Sequence, residues 1–277
     1  MKKILDCTNI QTTYRSIQSI LGVNLSEIIN FVIENKCLFS IDSKYGYPSF
    51  ERPDIKLIKE FFNINSFNYN YIIVHHASAI LEDDSYLDKG IFNLKGLAET
   101  SDNSFKKFLS DFKIRYEINS NGTPFFEYQG NKISSDYLER RFSADKCING
   151  FLYSYSILED TNINQLKLCP EIVAHLGRQI GIDLRSEWIK RSVPSSVSFK
   201  VELEQLHSTT FPYAGQNMDY QAKQEYFIKS AIDYLLIEYA IMYQYPKDNP
   251  MIFLNEDVQV CKEDIISVIP LTKISDI

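Results

Sequence analysis

Apolar positions recur at helical spacing through the first sixty residues. Asn24-Leu25-Ser26-Glu27 has the pattern of a capping box, and Leu25, Ile28, Ile29 and Val32 follow on one face, so a helix is expected to begin there. Ile55, Ile58 and Phe62 share a face of a second helical segment, with Pro53 expected in its first turn. A polar, Asn- and Phe-rich stretch over 63–70 then breaks the pattern and is the best candidate boundary in the chain. Past it the period changes. Tyr71-Ile72-Ile73-Val74-His75-His76 is a β-rich run that predicts a buried strand.

Further along, Phe105, Phe108, Leu109 and Phe112 predict a helix over 102–112. Residues 114–118 and 125–128 flank Asn121-Gly122, a hairpin signal. A strand is expected over 150–156, a helix between Pro170 and Gly181, and a strand over 196–203. Asp183 to Arg191 reads as an amphipathic helix with Leu184 and Trp188 inward. A long amphipathic helix over 220–243 and strands over 257–260 and 265–269 complete the pattern. Helices and strands alternate without regular βαβ spacing and without internal repeats, which predicts a mixed α+β fold.

Composition narrows the classes. The chain has 277 residues and a formal net charge of −7, and 44% of its residues are hydrophobic. A globular core is affordable at this length, and disordered or collagen-like readings are excluded. The acidic balance argues against a broad nucleic-acid surface, which needs Lys and Arg to neutralise phosphates. Met1-Lys2-Lys3 is followed by Asp6 and polar residues rather than by an apolar leader core, and no run is long and apolar enough for a membrane span. Five cysteines, an odd number without a CxxC pair, fit reduced thiols. A soluble, cytoplasmic protein without a membrane partner is expected.

Four histidines are present, and two are adjacent at the end of the strongest strand. Neighbouring strand residues face opposite ways, so His75 and His76 share one site only across a bulge. A structural and a functional reading stand for both. His175 and His207 show no ligand-like spacing to them, so no metal is expected. His76-Ala77-Ser78 closes the strand, and Lys89-Gly90-Ile91-Phe92-Asn93-Leu94 follows. Phe151-Leu152-Tyr153-Ser154-Tyr155-Ser156 occupies the middle of the chain. Asn255-Glu256-Asp257-Val258-Gln259-Val260 and Glu263-Asp264-Ile265-Ile266-Ser267-Val268 stand near its end. This order of H-x-S, "GI" turn, aromatic strand and late carboxylate resembles the His–Tyr–Glu class of the ADP-ribosyltransferase superfamily, over roughly residues 71–269.

The resemblance implies a helical N-terminal extension, residues 1–65, followed by a mixed, mostly antiparallel split-sheet domain over 66–277 with an insertion near 101–146. It implies that NAD is a substrate held by His76, Ser78 and either Tyr153 or Tyr155. Glu256 is implied as the catalytic carboxylate, with Asp257 the alternative acid. A carboxylate there would stabilise positive charge on the ribose as nicotinamide leaves, and a tyrosine face would stack on the ring. The implied acceptor is a macromolecule, protein before nucleic acid, and the implied role that of a bacterial or phage toxin or defence factor. Arg185 or Arg191 would contact the pyrophosphate of NAD or a nucleic-acid target, beside the plainer reading of the segment as an amphipathic helix with Leu184 and Trp188 inward. Glu171 reads as a helix-dipole partner, and Gln224-Glu225 as part of a helix. Two readings from other classes compete: a non-catalytic binding or regulatory protein, and a His-dependent hydrolase or nuclease.

Overall fold

The computed structural model describes residues 3–35, 39–42, 47–50, 52–81, 86–144, 146–154, 157, 168–211, 218–239 and 249–271. In chain order the first elements are β1 (Ile4–Leu5), α1 (Ile10–Leu21), α2 (Leu25–Asn35), β2 (Phe39–Asp42), β3 (Tyr47–Phe50) and α3 (Ile55–Phe61). Then come β4 (Tyr71–Leu81), α4 (Tyr86–Lys89), α5 (Leu94–Glu99), α6 (Ser104–Asp111), β5 (Ile114–Ile118), β6 (Pro124–Tyr128), β7 (Asn131–Ile133), α7 (Asp136–Ala144) and β8 (Asn149–Phe151). The remainder are α8 (Glu171–Ile180), α9 (Leu184–Arg191), β9 (Ser192–Glu202), α10 (Tyr220–Tyr239), β10 (Met251–Phe253) and β11 (Ile265–Pro270). The fold is mixed helix and sheet, as the α+β expectation required.

Two compact units emerge, drawn differently from the expected 1–65 and 66–277. The first comprises Met1–Ile73, Phe151–Ser156 and Val201–Met251. The second comprises Val74–Gly150, Ile157–Lys200 and Ile252–Ile277. The N-terminal helices are therefore not an extension by themselves. In the first unit α10, remote in sequence, packs against α1 and α2. It buries Phe227, Ile228, Ile232 and Leu235, while α1 and α2 bury Ile17, Ile20, Ile28, Phe31 and Val32. Amphipathic helices of this kind gain most of their stability from such packing.

Local signals set the helix ends of this unit. Asn9 accepts from the Thr12 amide and Thr12 accepts from the Asn9 amide, a reciprocal capping box, and α1 stops at Gly22 with φ +71°. At α2 the Glu27 carboxylate accepts from the Asn24 amide at 2.8 Å. Pro53 falls just outside α3, because the Asp54 side chain takes the N-cap by accepting from the Leu57 amide. Ile4 and Leu5 of β1 pair in parallel with Tyr71 and Ile72. Gln224 is structural here. Its side chain donates to the Tyr69 carbonyl at 2.6 Å, and the Tyr69 hydroxyl donates to the Gln224 carbonyl at 2.7 Å.

In the second unit the sheet order is β10-β8-β4-β9-β11, with β9 and β11 antiparallel. The centre is tightly built: a Cβ on Gly150 of β8 would press on Val74 and on the His75 carbonyl of β4. The segment expected as an insertion, 101–146, supplies Phe105, Phe108, Ile114, Tyr116, Phe126 and Leu138 to the same core as Leu176, Leu184 and Trp188. Tyr116 stacks on Phe126 at 4.4 Å, and Trp188 meets Phe108 edge-on at 4.9 Å. That segment is part of the core of its unit, since removing it would uncover α8 and α9.

Three strand expectations need correction. β4 continues to Leu81, past the expected His76. β8 ends at Phe151, because the Leu152 amide donates to the Pro250 carbonyl and the Tyr153 amide to the Asn249 side chain. Residues 257–260 form no strand: Glu256 and Asp257 make a turn, closed by the Val258 amide on the Asn255 carbonyl, and only Val260 pairs, with Ile91.

Gly90 permits that pairing. Its φ is +85°, and a Cβ would overlap the Val260 carbonyl oxygen. Gly122, at φ +76° in the β5–β6 loop, meets nothing within 4 Å. Gly122→Ala should therefore cost only the left-handed backbone penalty of about 1–2 kcal/mol. Gly90→Ala should cost clearly more, above about 3 kcal/mol, with the clash added. Urea unfolding followed by Trp188 fluorescence reports on the second unit alone, since Trp188 is the only tryptophan. Equal losses in the two variants would contradict the account of the Gly90 turn.

Candidate functional site

The second unit holds a cavity of about 360 Å³, within the ~300–1,000 Å³ range of small-ligand pockets. One wall is the C-terminal half of β4, from His76 to Leu81. Opposite chain segments supply Tyr86, Lys89 and the Gly90-to-Leu94 turn, then Asn103 to Phe105, Arg141, Cys147 to Asn149, Pro170 to Ile172, and Trp188. The two expected residues His76 and Ser78 are both in the lining. They sit two positions apart on one strand, so they share a face.

His75 and His76 part company as strand geometry demands. His75 is fully buried, with Nδ1 2.8 Å from the Ser198 hydroxyl of β9. His76 has Nδ1 2.7 Å from the Asn149 carbonyl of β8. A carbonyl only accepts, so Nδ1 carries the proton and Nε2 keeps the lone pair. His76 Nε2 makes no hydrogen bond among the described residues. Desolvation lowers the His76 pKa below its ordinary 6.5, against the opposing effect of the Asn149 bond. The ring is therefore neutral at pH 7 and offers one acceptor. Ser78 Oγ lies 3.1 Å from the Tyr86 hydroxyl, so two hydroxyls stand together beyond the histidine.

The charged groups of the lining are Lys89, Arg141 and Glu171. Lys89 Nζ donates to the Asp102 carbonyl at 3.4 Å, Arg141 lies over the Tyr137 ring, and Glu171 accepts from the Tyr137 hydroxyl at 3.2 Å. Glu171 thus has a specific partner beyond the helix dipole expected for it. Lys89 and Arg141 were not singled out from sequence. Lys89 opens the quoted Gly90-Ile91 segment without a role of its own there, Arg141 lies in no motif, and only the closure of the cavity brings the two into one lining. Arg185 and Arg191 are not in the lining. Arg191 instead pairs with Asp111 and Glu187 and covers Phe108 and Phe112.

Glu256 is also outside the lining. It is 53% exposed on its turn, and its carboxylate pairs with Lys146 at 3.1 Å. Its backbone nonetheless connects to the cavity, because the Asn93 side chain donates to the Glu256 carbonyl at 2.9 Å. Asp257 stands beside it on the same turn. Tyr153 belongs to the first unit, where it is 3% exposed. Its hydroxyl donates to the Ser230 carbonyl at 2.6 Å and its ring stacks on Tyr234 at 4.8 Å. The stacking face expected of it is engaged in packing. Tyr155 lies outside the described residues.

No group of three or more His, Cys, Asp or Glu with metal-binding arrangement occurs among the described residues. Among them, no single helix is long and apolar enough to cross a membrane. A scan against protein-family models finds no match, and neither a curated protein nor a solved structure matches the chain.

The lowered His76 pKa has a definite sign. Between that pKa and about 6.5 the unfolded chain binds a proton that the folded chain refuses. The histidine's contribution to stability is therefore complete above about pH 6.5 and declines as pH falls through that window. His175, also lowered by desolvation and by Arg178, acts in the same direction. Histidine 15N NMR should show His76 as the Nδ1–H tautomer at pH 7 and a midpoint below 6.5. A midpoint at or above 6.5 would contradict the burial account.

Proposed function

We propose that the second unit binds NAD through the His76 cavity and transfers ADP-ribose to a macromolecular acceptor, protein before nucleic acid. One observation carries the reading: His76 and Ser78 line a cavity together with the Gly90-Ile91 turn, and that turn bridges to Val260, four residues after Glu256. These are the segments whose order in the chain resembles the ADP-ribosyltransferase superfamily. A toxin or defence role follows from that resemblance alone.

The residues fit the substrate's chemistry group by group. The neutral His76 offers Nε2 as an acceptor for a ribose hydroxyl, and Ser78 and Tyr86 add hydroxyls beside it. Lys89 and Arg141 bring positive charge to the lining for a pyrophosphate. Tyr86 and Phe92 are partly exposed aromatics of that lining and able to stack on a planar ring. In this reading the stacking role passes to them from Tyr153.

Chemically, the bond from the ribose C1′ to the nicotinamide nitrogen breaks, and nicotinamide leaves with the electron pair. The acceptor's nucleophilic atom forms the new bond to C1′ and gives up its proton to solvent. Glu256 is the carboxylate assigned to this step, holding the ribose 2′-hydroxyl and stabilising the developing positive charge. To do so its side chain must turn inward from Lys146. The same exposed ion pair favours a second reading, in which the cavity binds a ligand without turnover.

Labelled NAD incubated with the purified protein and cell lysate tests the choice. Wild type should transfer label to macromolecules, Glu256→Gln should lose at least about 100-fold of that rate, and His76→Ala should raise KM for NAD. NAD binding without transfer or hydrolysis would select the second reading. Neither binding nor turnover would remove both.

A further inference from the structure

Asn93 uses every polar group it has. It is 6% exposed and caps α5 with φ −72° and ψ 175°, its side-chain oxygen accepting from the Gly96 amide at 2.8 Å. Its carbonyl accepts from the Leu97 amide at 2.9 Å. The two side-chain protons go to two carbonyls, Lys146 at 2.8 Å and Glu256 at 2.9 Å. Its backbone amide donates to Gln259 Oε1 at 3.0 Å, and Gln259 Nε2 donates back to Asn93 Oδ1 at 3.1 Å. The amide orientations are forced, because carbonyls only accept and backbone amides only donate.

We infer that Asn93, locked by Gln259, is the positioning residue for Glu256. The inference rests on the proposed NAD reading for its functional half. Among the described residues, and besides the Gln259 side chain, three anchors to the backbone hold the turn that carries the carboxylate. The Leu254 amide donates to the Ile148 carbonyl at 2.9 Å, Ile91 and Val260 exchange backbone bonds at 2.9 and 3.1 Å, and Asn93 ties the Glu256 carbonyl itself. The first two fix the ends of a seven-residue segment. Only the third reaches the residue that matters, and the same side chain fixes the backbone of Lys146, the partner of that carboxylate. Gln259 sets the rotamer of the clip and packs against Gly96, where a Cβ would come within 3.1 Å of its amide. An exposed carboxylate on a free turn would sample many positions, and a catalytic group must be held closely to act.

Asn93→Asp tests the donor role directly. The substituted carboxylate would face two carbonyl oxygens when ionised, and would regain one donor when protonated. Amide hydrogen exchange over 254–260, corrected for intrinsic rates, should speed up by about tenfold or more at pH 7. It should slow again as pH falls through the carboxyl's pKa, while exchange in β4 stays at the wild-type rate. Gln259→Met, which leaves the Asn93 cap on Gly96 in place, should speed the same segment by a smaller factor and supplies the test if the first variant fails to fold. NAD turnover is read on Gln259→Met, since Gln259 is not among the cavity-lining residues whereas Asn93 is: kcat should fall by more than KM rises. Unchanged exchange over 254–260 in the folded variants, or loosening spread equally over β4, would overturn the inference. If wild type shows no NAD chemistry the proposed function fails, and the exchange data still decide whether Asn93 positions the turn.

Discussion

The close approach of Gly90 to the Val260 carbonyl is the contact from which the rest of the second unit's candidate site follows. A residue with a Cβ would overlap that oxygen, and the φ of +85° is one that side-chain-bearing residues rarely adopt. With glycine in place, Ile91 and Val260 complete a reciprocal backbone pair. The chain then leaves that pair through Phe92 into Asn93, whose side chain closes on Lys146 and Glu256. Segments separated by more than 150 residues are thereby fixed around one cavity wall. The distance from Asn93 to Glu256 along the chain is 163 residues, so the ordering cost is substantial and a fully satisfied polar hub is the means that offsets it.

Electrostatics gives the cavity its character. His76 is kept neutral by desolvation, with its proton committed to Asn149, so it presents a lone pair. Lys89 and Arg141 bring cations to a chain whose overall charge is −7. The acidic surface therefore coexists with a locally cationic lining. The proposed NAD reading assigns the hydroxyls, planar ring and anionic centre of the ligand to groups of this lining. Glu256 stands outside the lining and connects to it through its backbone carbonyl, which accepts from the Asn93 side chain.

Local chemistry was legible in the sequence. The Pro170 and Gly181 brackets gave α8, the Asn121-Gly122 pair gave the β5–β6 hairpin, and Asp183 to Arg191 gave a helix with Leu184 and Trp188 buried. Each depends on a few adjacent residues. What was not legible is long-range. Val258 and Val260 alternate as a strand would, yet Asn255, Glu256 and Asp257 form a turn, because the backbone partners lie at Ile91 and Asn93 and not on a neighbouring strand. Tyr153 reads from sequence as core more readily than as a stacking face, and its bonds to Ser230 and Asn249 and its contact with Tyr234 show packing. For Asn93 the helix-cap half of its role has a local signature, while its second half, the clip on Lys146 and Glu256, has none. The division into units was hidden for the same reason, since α10 joins α1 and α2 from two hundred residues away.

The central claim is that the His76 cavity takes NAD. The most direct measurement is a titration of NAD into protein carrying 15N-labelled histidine. The His76 Nε2 resonance should move saturably as its lone pair accepts a ribose hydroxyl, with His175 and His207 unmoved. A His76 signal unchanged at saturating, millimolar NAD, or a response confined to the other histidines, would contradict the account.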